Sequence, residues 1–377
     1  MKNQSFNNNH INYSKNTLFT VGIEEEYMIC DPENYELIPK ANEIIQSIDN
    51  KFKNRFSYEL ILSEIESNTK ICKTVNEAID EILLYRNILS KLGNSLDFVI
   101  GINGTHPTAL PKDQKFVDNN AYNWVLNELS YYASRNITFS THFHIGLNDP
   151  ETSISICNAL RRWISPLLAL SVNSPFFEGI LTGMHSSRTF QFSTFPRTEI
   201  PDYLDSYNSY KTIIENYVKS KSIVKPRQIW WKIRPHIDFG TIEFRMCDAQ
   251  RSISNIKMLA SLCQALVHTE YISNDFSKSR YKLEYLNDGL WKASRYGING
   301  LIVDPLTSKI LSIKDFIYLM YEYCYKSLCY FGNDQIIDSI DSICKEGTEH
   351  DLQLKIFNKY GIDELKKYLI KKVEYSL

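Results

Sequence analysis

Carboxylates, imidazoles and guanidinium groups recur at every second position in several separate stretches of this chain, and that spacing is what would let them act together. From Phe19 to Ile29 the residues Phe19, Val21, Ile23, Tyr27 and Ile29 alternate as apolar positions, so a strand places Glu24 and Glu26 side by side on the opposite face, with Glu25 on the apolar side. A candidate strand from Tyr58 to Glu66 repeats the pattern with Glu64 and Glu66. From Ile137 to Leu147 the positions Phe139, Thr141, Phe143, Ile145 and Leu147 alternate with Ser140, His142, His144 and Gly146. Two further runs, Ile229 to Ile237 and Phe239 to Cys247, put Lys232, Arg234 and His236 on one polar face and Thr241, Glu243 and Arg245 on the other. Carboxylates of like charge on one strand face repel unless a cation or a proton lies between them. With one or two imidazoles they suit Mg²⁺ or Mn²⁺, and neighbouring arginines suit phosphate oxygens. A solvated face explains any one of these stretches; the recurrence of one pattern favours a shared site of phosphoryl-transfer type, where catalysis is positioning and charge neutralisation.

Such a site needs an antiparallel sheet with one face covered by helices and the other open, hence an α+β fold. Helix signals are present in the right places. Thr74 to Glu77 is a capping box opening a helix that runs to a stop at Gly93, and Asp149 with Pro150 opens another. Helices are also expected over about Asp202 to Val218 and Ile256 to Ile272, with a hairpin near Ile302 to Ile310 and three further helices towards Leu377. Pro235 marks an edge or strand end. The Gly- and hydroxyl-rich segment Gly179 to Phe195 has too little periodicity for regular structure, and a long ordered loop of this kind is more often functional than not.

Composition narrows the classes. The 377 residues carry 43% hydrophobic and 23% charged residues with a net charge of -2, which gives no long-range reason to expect nucleic acid or an anionic membrane as partner. Eight scattered cysteines without a Cys-x-x-Cys pair read as reduced thiols, and no apolar run is long enough to span a bilayer, so a cytoplasmic protein is expected. Residues 1–16 read as a disordered tail without a signal peptide, and 17–377 as one catalytic domain with a mostly helical C-terminal part. Neither a Walker loop nor a Rossmann glycine fingerprint is present, so a nucleotide would sit on the sheet face.

Several motifs occur in order: Gly22-Ile23-Glu24-Glu25-Glu26-Tyr27, Glu66-x-x-Thr69, Gly104-Thr105-His106-Pro107, His142-x-His144-x-Gly146, Asn173-Ser174-Pro175-Phe176, Thr182-Gly183 with Ser187-Arg188, Arg234-Pro235-His236, Thr241-x-Glu243-x-Arg245-x-x-Asp248, and Trp291-x-Ala293-x-Arg295-Tyr296-Gly297. Together they resemble glutamate-cysteine ligase family 2, the bacterial ATP-dependent carboxylate-amine ligases. The resemblance implies a glutamine-synthetase-like antiparallel catalytic sheet with helices packed on its outer face, ATP with two or three Mg²⁺ ions (Mn²⁺ as a substitute), and glutamate plus an amine such as cysteine as substrates. The implied reaction phosphorylates the γ-carboxylate of glutamate and lets an amine displace phosphate. By position, Glu24, Glu26, Glu66, His142 or His144, and Glu243 resemble metal ligands, and Arg245 resembles the arginine on the transferring phosphoryl group. Arg188, Arg234, Arg295 and His236 are further candidates for phosphate, nucleotide or substrate contacts. Glu64 shares a face with Glu66 but is not part of the pattern.

The segment Gly183 to Arg188 has His185 and Ser186 where the family has larger residues, and the stretch after Phe195 lacks a Gly-Pro-rich loop. These departures are expected to face the amine. Two other readings use the same face: a metal-dependent ATP hydrolase or phosphotransferase, and a module that binds a metal-nucleotide complex without turnover. The helical C-terminal region is free to pack on its own sheet or on a second subunit as a homo-oligomer.

Overall fold

The computed structural model describes residue 13 and residues 17–376; the expected tail over residues 1–16 lies almost wholly outside the described residues. Eleven strands are present among the described residues: β1 (Val21–Cys30), β2 (Phe56–Tyr58), β3 (Glu64–Asn68), β4 (Val99–Gly101), β5 (Thr141–Gly146), β6 (Phe176–Phe177), β7 (Ile180–Leu181), β8 (Ile233–His236), β9 (Thr241–Phe244), β10 (Leu301–Val303) and β11 (Ile310–Ser312). Seven form one antiparallel sheet in the order β2-β3-β1-β5-β9-β8, with β4 paired to the end of β1, while β6-β7 and β10-β11 are separate hairpins. β8 is an edge, and Pro235 within it needs no partner on its outer side.

The period of two is realised throughout. The inner face of the sheet is apolar: Val21, Ile23, Phe143, Ile145, Ile233, Ile242 and Phe244 are buried against the helices Val75–Leu96, Pro150–Leu160, Ile164–Ser171 and Ile253–Ser273. Burying each such side chain contributes about 1.5–3 kcal/mol. Glu25 falls on this covered face, as its parity requires, and is neutralised there by Arg86 of the first of these helices, with Nε donating to Oε2 at 3.0 Å. The remaining Arg86 donors reach the carbonyls of Gln250 (2.8 Å), Arg251 (2.8 Å) and Glu374 (2.9 Å), so one guanidinium ties β1 to the end of the chain.

Three expectations change. The stretch Tyr58 to Glu66 is not one strand: it breaks between β2 and β3, where Ile61 bridges to Phe116 and the backbone turns. The helix from Val75 does not stop at Gly93 but runs to Leu96, ended by Asp97 in the left-handed conformation (φ 55°). Gly93 is needed instead because a Cβ there would lie 2.3 Å from the Phe98 carbonyl oxygen. The C-terminal region holds four helices after β11 rather than three: Ile313–Phe331, Ile337–Glu346, Glu349–Tyr360 and Ile362–Lys371. The irregular segment from Gly179 contains β7 and a short helix, Ser187–Phe192. All eight cysteines are free thiols, Cys329 alone among them exposed, and no described helix is long and apolar enough to cross a membrane.

Candidate active site

The open face of the sheet floors a cleft of about 770 Å³. Register brings the predicted side chains into rows across the strands. Glu26 on β1 lies opposite Glu66 on β3, Glu24 lies between Asn68 and His142, and His144, Glu243 and Arg234 follow one another across β5, β9 and β8. Glu24 Oε2 is 3.1 Å from His142 Nδ1, and its Oε1 is 3.2 Å from His144 Nε2. His142 Nε2 is 2.8 Å from Ser140 Oγ, and His144 Nδ1 is 2.9 Å from Thr241 Oγ1, so neighbouring hydroxyls orient both rings. His144 Nε2 also lies 3.9 Å from Glu243 Oε1, so its ring is shared between the Glu24 and Glu243 carboxylates. Glu243 is clamped on its other side by Arg234 Nε (2.6 Å) and by Arg245.

Charge is divided between two halves of the cleft. On the acidic side Glu26, Glu59, Glu64 and Glu66 crowd together; burial and then mutual repulsion push Glu59 up to about 8 and hold Glu64 and Glu66 well above the usual carboxylate range. Burial likewise raises Glu26, although Arg188 opposes it. Ser57 Oγ and Asn68 Nδ2 each donate to Glu66 Oε1 at 2.8 Å. On the basic side stand Arg188, Arg234 and Arg245. Burial would raise Glu24 and Glu243, but His144 and His142 hold the first, and Arg234 and Arg245 the second, well below their ordinary values. Burial, with Arg245, pushes His142 down to about 4, leaving a neutral imidazole, while Glu24 and Glu243 overcome burial to raise His144. His236 is pushed down to about 3 by burial and Arg234, and stacks on Phe239 at 4.2 Å.

At the sheet face two groups of donors have ligand atoms within 4.8 Å of one another, Glu24 with His142 and Glu243, and Glu26 with Glu66 and His142. Carboxylates that burial would otherwise protonate, next to a neutral imidazole, fit a hard divalent cation. The proposed ligands are thus brought together as a set.

Arg188 reaches the cleft from the segment after β7. Its Nη1 donates to the Met246 carbonyl and its Nη2 to that of Arg245, both at 3.1 Å. The buried Asp248 carboxylate lies 4.0 Å away and accepts from Ser174 Oγ (2.7 Å), Ser186 Oγ (2.8 Å) and the Asn173 backbone N–H (3.1 Å). Gly104 packs on this carboxylate so closely that a Cβ would lie 2.7 Å from it, and its N–H donates to Asn173 Oδ1. The Gly104, Asn173-Ser174 and Ser186 motifs are therefore support for Arg188 and not lining of the cleft.

Arg295 is not part of the cleft: its Nη1 donates to the Gly183 carbonyl, where the helix Leu283–Tyr296 meets the loop before Arg188. His185 is also outside, stacked on His350 with ring centroids 3.5 Å apart and Asp351 beside them. Parallel rings do not aim their lone pairs at one point, so this pair docks the loop on the helix Glu349–Tyr360. Gly183 to Ser186, expected to face a substrate, therefore does not line the cleft, whereas Phe192, Phe195 and Trp230 do. Four charged residues beyond the predicted set line the cleft: Glu59, which follows from the break between β2 and β3, Glu64 beside Glu66, and Lys225 and Arg227. Lys232 is fully buried and does not line it; its Nζ lies 5.0 Å from the centre of the Phe192 ring. The sequence alternation already placed Glu64 and Lys232 on the polar face; for Glu59 no sequence signal marked the break.

Residues 20–361 match the family model for glutamate-cysteine ligase family 2. Among curated relatives, a protein of Herpetosiphon aurantiacus named "Putative glutamate--cysteine ligase 2" is 35% identical over 346 residues, covering 91% of this chain and 90% of its own. One of the same name from Solibacter usitatus is 33% identical over 364 residues, covering 95% and 94%. Among solved structures, glutamate–cysteine ligase of Francisella tularensis in complex with AMP superposes with a TM-score of 0.73 at 11% identity, over 94% of this chain and 88% of that one. A bifunctional glutathione synthetase of Pasteurella multocida gives 0.55 at 13% identity, over 92% of this chain and 52% of that one. The antiparallel sheet with its open polar face is thus a ligase fold, and the chain belongs to glutamate-cysteine ligase family 2.

Proposed function

We propose that this protein is an ATP-dependent carboxylate-amine ligase that joins the γ-carboxylate of glutamate to cysteine or a related amine. The observation that carries the reading is the division of the cleft into a crowded acidic half and an arginine half on one rigid sheet. Glu24, Glu26, Glu66, Glu243 and His142 or His144 would hold Mg²⁺, with Glu59 and Glu64 beside them. Bound there, Mg²⁺ would neutralise triphosphate charge. Arg245 and Arg188 are aimed at the transferring phosphoryl group, where planar guanidinium donors bind oxygens in pairs. Arg234 and His236 flank the nucleotide. In the first step a substrate carboxylate oxygen bonds to the γ-phosphorus of ATP as the bond to the β-γ bridging oxygen breaks, giving an acyl phosphate and ADP. The amine nitrogen then attacks the acyl carbon, phosphate leaves, and a proton is lost from nitrogen.

The test is release of ADP and phosphate by the full-length protein with Mg²⁺, ATP and glutamate, with and without cysteine and then other amines. Release that requires both acid and amine is expected. Release without an amine would replace the ligase by a hydrolase, and nucleotide binding without release would leave a binding module.

A further inference from the structure

Two motifs that do not line the cleft, Gly183 to Ser186 and Arg295-Tyr296-Gly297, meet at His185. The His185 ring lies face to face with that of His350, with centroids 3.5 Å and planes 14° apart. At its edge stands Gly297, held at φ 55°, where a Cβ would lie 2.5 Å from His185 Nδ1. The ring is thus wedged, and it cannot leave His350 without its backbone moving. That backbone roots the segment carrying Arg188. The N–H groups of His185 and Ser186 both donate to the Ser294 carbonyl, at 2.8 and 2.9 Å, and the Ser174 N–H donates to the His185 carbonyl at 3.1 Å. Ser186 Oγ reaches Asp248, and the Ser187 N–H donates to the Ser174 carbonyl at 2.8 Å, so the helix Ser187–Phe192 starts from the same knot.

The stack has a counter-ion for one proton and none for two. His350 Nδ1 is 3.4 Å from Asp351 Oδ1. His185 Nδ1 is buried and has no hydrogen-bond partner among the described residues. The charged groups that face His185 are His350 and Asp351 from the helix Glu349–Tyr360 and Arg295 from the helix Leu283–Tyr296. A charged imidazole donates from both ring nitrogens. Protonating His185 would therefore press an unaccepted N–H against Gly297 and set two positive rings 3.5 Å apart.

We propose that the His185–His350 stack is a proton-operated clasp, which holds Arg188 at the cleft and lets its segment go when both rings are charged. His185 is a positioning residue, acting through Ser186 and Arg188. The use of Arg188 on a phosphoryl group rests on the ligase reading; the clasp rests on the stack and its anchors. Burial and then His350 push His185 down to about 4, with Arg295 adding to them and Asp351 opposing. A released ring titrates at about 6.5. Above that value neither state takes the proton and the clasp has its full strength. As pH falls below it the released segment is protonated first, so release gains about tenfold per pH unit, and about 30-fold in all between pH 8 and pH 5.

The experiment follows ADP release by the full-length protein and by His185→Phe, which keeps a stacked ring without a proton site, from pH 8 to pH 5, beside an NMR titration of the histidine ring protons. At pH 8 the two should agree within about threefold. Towards pH 5 the unaltered protein should fall behind by about tenfold or more, and the ratio of the two at each pH cancels titrations inside the cleft. His185→Ala, which removes the stack, should lower kcat at every pH by about tenfold or more with little change in the KM for ATP. The His185 signal, identified by its loss in His185→Phe, should titrate near pH 4. Parallel pH courses for the two proteins, full activity of His185→Ala, or a His185 signal titrating at about 6.5 like a free imidazole would overturn the clasp. Should His185→Phe fail to fold, His350→Phe removes the second charge from the other side and should recover part of the pH 5 rate; an unchanged course there would overturn the clasp equally. Amine-independent ADP release that still diverges between the two proteins towards pH 5 would sink the ligase reading and leave the clasp standing, and the NMR titration tests the clasp without any turnover.

Discussion

Glu243 accepts from two arginines and faces His144, so its carboxylate sits where both halves of the cleft meet. Glu243→Gln keeps the shape and removes the charge; turnover should fall by roughly two to three orders of magnitude with the fold intact, read by ADP release beside a thermal melt. Arg245→Lys should lose a similar factor, because an ammonium cannot hold two oxygens in a plane. Lys232 gives a test in stability. Burial, then Arg188 and Arg245, push its pKa down to about 7. Below that value the amine is charged in both folded and unfolded chains and the full penalty, on the order of a few kcal/mol, is present. As pH rises towards the unfolded value of about 10.4, the folded chain gives up the proton first and the penalty disappears. Lys232→Met should therefore melt higher than the unaltered protein at pH 6, by a margin that narrows steadily above pH 7.

At the scale of elements, the cleft is positioned by strands and by one buried polar knot. Asp248→Ala would leave the hydroxyls of Ser174 and Ser186 and the Asn173 N–H without their acceptor and Arg188 without its nearest carboxylate. A loss of roughly 3 kcal/mol is expected in urea denaturation, with a fall in kcat larger than any change in the ATP binding constant. The strands were legible because their period is two: Glu24 with Glu26, His142 with His144, and Glu243 with Arg245 follow from parity alone. Parity also set Glu25 on the covered side, where Arg86 meets it. What parity could not reveal was a break inside an apolar run. Leu60-Ile61-Leu62 looks like the middle of a strand, yet the backbone turns there, and Glu59 enters the cleft as a result. Arg295 failed for a different reason. A motif in the right order says nothing about which way a guanidinium on a helix points, and this one caps a loop carbonyl. The residues of the Gly104 and Asn173 motifs meet each other and Asp248 only through contacts far apart in sequence, which no local pattern encodes.

Across the whole molecule, the last helices close the fold by returning to the sheet. Ile370 and Val373 pack in the same cluster as Tyr27, Ile29 and Ile100, Arg251 pairs with Glu349 (3.1 Å) and donates to the Lys372 carbonyl, and Asn87 Nδ2 reaches the Tyr375 carbonyl at 3.0 Å. Arg86→Met should cost roughly 3–5 kcal/mol, because Glu25 would be left buried and unpaired; the shift should appear in the urea midpoint. Ending the chain at Lys371 should lower the midpoint as well, since Arg86 loses the Glu374 carbonyl and Arg251 that of Lys372. The Arg86 guanidinium that grips residue 374 also grips Glu25, the residue between Glu24 and Glu26. Tension applied to the C-terminus therefore reaches the carboxylate strand through one side chain. A tether or fusion partner attached there would act on the cleft mechanically, and single-molecule pulling from that end should disturb nucleotide binding at lower force than pulling from an exposed loop elsewhere.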